Sequence, residues 1–223
     1  MNYSSCYNNK KELWVRFMNY DEMLLFVEDT LNSNNGIRSS NPLFSFRNRF
    51  EHIKRVYNWS VLLLEDCPNC NKEAVLTAAI FHDVGYSCRN DKHNESSARI
   101  FMEYAKKHNF DEEFSNLVYD LIFKHSHKAY LKEEGTPIEL VILLEADLLD
   151  EEGALGLVWD FMAEGAKRPT SYKQALDSIY IHSAHILNQN FMVTPLAKKL
   201  WAKKQNFIKA FIEELSSDLF LKE

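Results

Sequence analysis

The sequence predicts an all-α protein, and three observations carry that prediction. Six glycines and five prolines in 223 residues are too few for the tight turns of a many-stranded sandwich or barrel. From Pro42 almost to the end, apolar residues recur at three- and four-residue spacing, the period of a helix. The breaks between those runs carry helix punctuation, such as Asp111 before one run and Gly135-Thr136-Pro137 before the next.

The elements follow in order. Residues 1–19 are rich in Asn and Tyr and read as a loosely held extension. Asp21–Leu31 reads as a short amphipathic helix with Asp21 as its N-cap. Asn32–Pro42 is turn-rich and is the candidate linker, which divides the chain into an N-terminal extension with a short helix (1–41) and a main domain (42–223). Phe44–Leu64 places Phe46, Phe50, Ile53, Val56, Val61 and Leu64 at helical spacing. Cys67-Pro68-Asn69-Cys70-Asn71 is a turn. Glu73–Phe81 is nearly all apolar and belongs in the core, with Gly85 as its stop. Asn94–His108 and Asp111–Lys124 are amphipathic helices. Pro137–Leu149 starts on proline, as helices often do. Gly153–Glu164, Ser171–Asn188 and Pro195–Leu219 complete a set of eight or nine helices.

Composition narrows the function. The chain is 46% hydrophobic and 26% charged, as expected of a folded globular protein. A net charge of −6 carries no footprint for duplex nucleic acid, and Lys198-Lys199 and Lys203-Lys204 read as the solvated face of a helix. A small anionic substrate stays open, because a local metal or arginine overrides net charge. No stretch approaches the ~20 apolar residues of a membrane span. The first residues lack the apolar core of a signal peptide, so a cytoplasmic location is expected. Free thiols are then expected for Cys6, Cys67, Cys70 and Cys88. Cys67 and Cys70 form half of a structural zinc site at most, and the turn explains them without metal. Glycine-rich phosphate loops and a GxSxG nucleophile are both missing.

Three places set metal-ligating side chains against apolar helix faces: His52, the pair His82-Asp83, and Asp147. Taken singly, each has a bland reading as a capped histidine, a helix-end pair or the start of a turn. An ionised Asp within VILLEADLLDEEG is costly unless it is paired or binds a cation. Two imidazoles and two carboxylates suit Mn, Fe, Ni, Co or Zn, and Mg less well.

In this order, His52, His82-Asp83 and Asp147 resemble the ligand set of the HD-domain superfamily of metal-dependent phosphohydrolases. The segment AAIFHDVG (78–85) is similar to the family's apolar helix followed by its HD pair. EADLLDEEGALGL (145–157) and the tail from His182 to Glu214 resemble one small stand-alone bacterial branch. The resemblance spans about residues 44–216. It implies a helical bundle with a central divalent metal held by His52, His82, Asp83 and Asp147. Asp83 would be the carboxylate able to bridge two metals.

His93 and His125 stand where bimetallic members carry two further histidines, so they bind a second metal or a substrate phosphate, or serve as outer donors. Glu51, Glu95 and Asp150 are candidate partners of the ligands. Arg55, three residues after His52, either clamps a phosphate or holds a carboxylate. Lys124 is a weaker phosphate candidate. His127 reads as a surface residue, and His108, His182 and His185 match no ligand position. Leu148 and Trp159 stand where the branch carries basic residues; they leave the metal set intact and bear on substrate identity.

The implied activity is cleavage of a phosphoester or phosphoanhydride bond in a small phosphorylated molecule, a nucleotide first. Asp83 and Arg55 are the residues expected to act. Two rivals stand beside it: a di-iron oxygenase on the same fold, which needs His93 and His125 as ligands, and a non-catalytic nucleotide-sensing module. Trp201, Phe207 and Phe211 belong either to the core or to a homodimer interface.

Overall fold

The computed structural model describes residues 18–88, 92–167 and 170–220, with the side chain of His185 also outside it. Cys6 and residues 1–17 of the expected N-terminal extension therefore lie outside the described residues. Those described form nine α-helices joined by short 3-10 turns, with a single β-bridge between Arg38 and Asn48 and no strand. No helix among them is long and apolar enough to cross a membrane.

Helix α1 runs Tyr20–Ser33 and buries Met23, Val27 and Leu31. It packs on the helix that follows the Cys67–Cys70 turn, and its three buried side chains join the core. Its cap is Asn19, whose side chain accepts from the Glu22 amide, and not the expected Asp21. The reason is position: Asp21 already lies inside the first turn, where a carboxylate favours the helix dipole.

Helix α2 spans Arg49–Leu64, shorter than the expected run from Phe44. Asn48 Oδ1 accepts from the Phe50 and Glu51 amides and fixes the start one turn before His52. Phe44 and Phe46 are released from the helix and pack against Trp159. Helix α3, Lys72–Phe81, is capped by Asn71 and is almost wholly buried. Its apolar residues face every direction, which suits a central helix.

Helices α4 (His93–Lys107) and α5 (Glu112–Lys124) form an antiparallel pair, with Asp111 capping α5 as the sequence predicts. Helix α6, Ile138–Glu151, lies against α2 and α3 and buries the unbroken run Leu140–Asp147. Helices α7 (Ala154–Gly165) and α8 (Tyr172–His182) pack on each other and on the last helix. The expected single helix Ser171–Asn188 divides at Ser183, whose hydroxyl turns to Asp160 at 2.6 Å, and continues as a 3-10 turn. Helix α9, Pro195–Phe220, closes the bundle. Trp201 belongs to the core, and Phe207 is exposed.

Two buried contacts hold the frame around α6. Glu145 is fully buried, and its carboxylate accepts from the Val193 and Thr194 amides and from the Thr194 hydroxyl, tying the start of α9 to α6. Gly85 acts by its small size and not as a helix stop. A β-carbon there would meet the His93 carbonyl at 2.0 Å, and its amide donates to Ser97 Oγ at 2.8 Å. The start of α4, which carries His93, is thereby pressed against the segment that carries Asp83.

Candidate metal centre

Two core helices and the end of a third converge on a single point. His52 projects from the second turn of α2. His82 is the C-cap of α3, Asp83 follows it, and Asp147 lies mid-way along α6. All four are buried. His52 Nε2 stands 3.2 Å from Asp147 Oδ1, 3.3 Å from His82 Nε2 and 3.7 Å from Asp83 Oδ2. His93 and His125 come in from the other side, 3.5 and 3.4 Å from Asp83 Oδ1 and 3.3 Å from each other.

Asp83 therefore belongs to two groups of donors, one with His52 and His82, the other with His93 and His125, each close enough to hold a metal ion. A third group joins His52 and Asp147 to Glu151, an exposed residue that also pairs with Arg47 at 3.4 Å.

The outer nitrogens set the inner ones. His82 Nδ1 donates to the Ala79 carbonyl at 2.8 Å, and His125 Nδ1 to the Ile122 carbonyl at 2.6 Å. His52 Nδ1 donates to Asp150 Oδ2 at 2.7 Å. In the neutral ring, each of these bonds keeps the proton outside and turns the Nε2 lone pair to the centre, the arrangement expected of metal-ligating histidine. Asp150 is fixed in turn by Arg55, whose Nε and Nη2 reach its two oxygens at 2.7 and 3.0 Å. Arg55 thus takes the second of its two expected roles and holds a carboxylate.

The electrostatics call for a positive charge. Asp147 Oδ1 is buried without a hydrogen-bond partner. Burial disfavours charge on Asp83, but His82, His125 and His52 hold its pKa well below the ordinary carboxylate value. Lys128 and the histidines do the same for Asp147, whose Oδ2 contacts Lys128 Nζ. Burial lowers His82 to about 4. Burial opposes a proton on His52 too, yet the carboxylates of Asp147 and Asp150 outweigh it and raise that ring to about 10. A divalent cation satisfies the same carboxylates, and the nitrogen and oxygen donors suit a borderline metal.

Other predicted partners lie elsewhere. Glu95 is exposed and pairs with Lys92 at 2.8 Å, so it is not an outer donor to the cluster. Glu51 pairs with Lys54 at 2.7 Å and makes no bond to His52. Both sit in first turns, where an acidic side chain points to solvent and a near lysine. Lys124 turns to Asp120 at 3.0 Å, away from the centre. His127 is exposed, and His108 stacks on Tyr104. Cys67 and Cys70 are free and half-buried, with Cys70 Sγ donating to the Cys67 carbonyl at 3.3 Å.

Three features escaped the sequence. Lys128 sits in a 3-10 turn with no periodicity to betray its direction. Tyr86 stacks on the His93 ring at 4.3 Å and 7°, with the Arg49 guanidinium over its ring at 3.2 Å; Tyr86 follows Asp83 by three residues, the only hint that it stays near. A cleft of about 640 Å³ opens beside His52, between α2 and the α7–α8 pair.

The HD-domain family model matches residues 49–152, the stretch from the start of α2 to just past the end of α6. Over this stretch the chain is similar to the HD domain, and all six histidine and carboxylate donors of the centre lie within it. The similarity to bacterial proteins extends beyond it. YpgQ of Bacillus subtilis, itself uncharacterised, is 27% identical over 176 residues, 76% of this chain and 83% of YpgQ. A crystal structure of an HD-superfamily hydrolase from Bacillus thuringiensis superposes with a TM-score of 0.68 at 20% identity, over 91% of this chain and 97% of that one. Bacillus subtilis YpgQ in complex with ADP superposes with a TM-score of 0.64 at 22% identity, over 89% and 94%. At these identities the structures share the fold of the chain.

Proposed function

We propose that this protein is a metal-dependent phosphohydrolase that cleaves a phosphoester or phosphoanhydride bond in a nucleotide. The observation that carries the reading is the shared carboxylate: Asp83 serves two buried donor groups, and the neighbouring Asp147 Oδ1 has no hydrogen-bond partner of its own. The ADP complex of YpgQ supports a nucleotide as the substrate class.

His52, His82, Asp83 and Asp147 would hold the first metal, and Asp83, His93 and His125 a second. A divalent cation bound there supplies a water of lowered pKa and a Lewis acid for a phosphoryl oxygen. Asp150 keeps the His52 proton on Nδ1, and Arg55 keeps Asp150 in place; Arg55 is a positioning residue. Lys128, beside Asp147 and partly exposed, is a cation able to meet an anionic oxygen of substrate.

The test is release of phosphate and pyrophosphate from a panel of nucleotides and phosphomonoesters with Mn, Mg, Ni or Co added, and Asp83→Ala as control. Metal-dependent release that disappears in Asp83→Ala supports the reading, and the product names the bond. Nucleotide binding without release under any metal would leave a sensing module. The completeness of the His93–His125 group favours one further reading, a di-iron oxygenase. Bound iron together with substrate-dependent oxygen uptake would select it.

A further inference from the structure

The cleft beside the metal centre is a place of its own. Its lining includes His52, Asp150 and Arg55, and the Asp160–Ser183 pair, whose hydroxyl lies beside Gly156 and Glu152. Along α7, Leu155, Val158 and Met162 recur at helical spacing and point into the opening, each between 41 and 50% exposed. An apolar stripe on a helix ordinarily faces a core. Here it faces a hollow large enough for a ligand.

Beside the stripe, Phe44 and Phe46 close on Trp159 of the same helix with ring centroids 5.2 and 5.1 Å away. Arg47 lies over the Trp159 ring at 5.0 Å and reaches Glu151, which itself approaches His52 and Asp147. The cleft thus brings together a donor of the metal centre, a cation, an apolar wall and a polar pair in which Asp160 Oδ2 accepts from Ser183 Oγ at 2.6 Å.

We propose that this cleft is the nucleoside subsite of the chain. The sugar and base lie against Leu155, Val158 and Met162, the base edge meets Asp160 and Ser183, and the phosphates pass Arg47 towards the metal centre. A flat, largely apolar ring with a polar edge and hydroxyls matches a cleft that combines an apolar wall with a polar pair. An inorganic phosphate or a small phosphomonoester would leave the α7 stripe wet. The carboxylate–hydroxyl pair is a poor neighbour for an acyl chain. The proposal rests on the nucleotide reading above and adds where the non-phosphate half of the substrate is held.

The test separates the two. Binding of adenosine, which carries no phosphate, is measured by equilibrium dialysis and by saturation transfer to its H8 and H1′ protons. The full chain is used in excess chelator, so neither metal nor turnover enters the readout. Val158→Trp fills the cleft from an exposed position, and Met162→Lys puts a charge on its apolar wall. Wild-type binding that both substitutions weaken by about tenfold or more, equivalent to about 1.4 kcal/mol, supports the subsite. Circular dichroism shows that the variants are folded. Absence of adenosine binding to the wild-type chain, or wild-type affinity in both folded variants, overturns it. Adenosine binding of the expected kind with no nucleotide turned over under any metal would sink the phosphohydrolase reading alone.

Discussion

The two sides of His52 are built on opposite plans. On its Nε2 side, four helices bring buried donors together, and each of His52, His82 and His125 has its outer nitrogen bonded to a fixed acceptor. On its Nδ1 side, beyond Asp150, lies an open cleft whose far wall, α7, leaves three apolar residues partly exposed. The closed side has the rigidity that chemistry needs, because a donor displaced by an ångström no longer shares a cation. The open side is lined by α7 and α8, which also pack against α9. On the function proposed above, reaction class would reside in the first and choice of substrate in the second.

That contrast can be broken most severely from within the closed side. Asp83→Ala removes the carboxylate common to both donor groups. Metal-dependent turnover should fall by at least about a thousandfold, and bound metal, measured by elemental analysis, should fall with it. Asp150→Asn acts one bond further out. It should weaken metal affinity by about ten- to a hundredfold, read by competition with a chromophoric chelator, while the bundle stays folded.

Glu145→Gln sharpens the comparison on stability rather than chemistry. The new amide would point a donor at the two backbone amides and hydroxyl that Glu145 now accepts, at a cost of about 1–3 kcal/mol. A drop of about 2–4 °C in Tm per kcal/mol is expected in thermal unfolding.

The smallest effect concerns the cleft. Burial, with Glu151 and Asp160 nearby, raises Glu152 to about 8 from an ordinary value of 4.5. A folded-state pKa above the unfolded one means the folded chain holds the extra proton. The associated stability is complete below the unfolded value and is lost as pH rises towards 8. Glu152→Gln should therefore match the wild type in Tm near pH 4.5 and exceed it at pH 8. Equal differences at both pH values would remove the burial argument.

How much of this was legible depended on whether a residue obeys a period. The core helices α3 and α6 are apolar all round, so their polar exceptions, His82, Asp83 and Asp147, stood out. His93 and His125 were placed by resemblance, and the structure sets both against Asp83. Of the three outer partners expected, Asp150 alone meets a ligand, because only it is on the buried face of its helix. Arg55 was found with its role open, since sequence gives a helix face but not the rotamer that selects Asp150. Lys128, Tyr86 and the cleft depend on turns and on helices meeting from distant parts of the chain, which no local pattern records.

Gly85 sets a mechanical tolerance on all of this. The distance between the His52–His82 half of the cluster and the His93–His125 half depends on a backbone lying against a backbone, with no side chain between them to adjust. Packing errors in a core can spread over many flexible rotamers, whereas an error at such a contact must appear as a shift of the whole of α4. A single methyl at Gly85 would act as a wedge, opening the two halves like a hinge while every donor remained present. The spacing of the cluster is thus encoded by an atom the chain does not have.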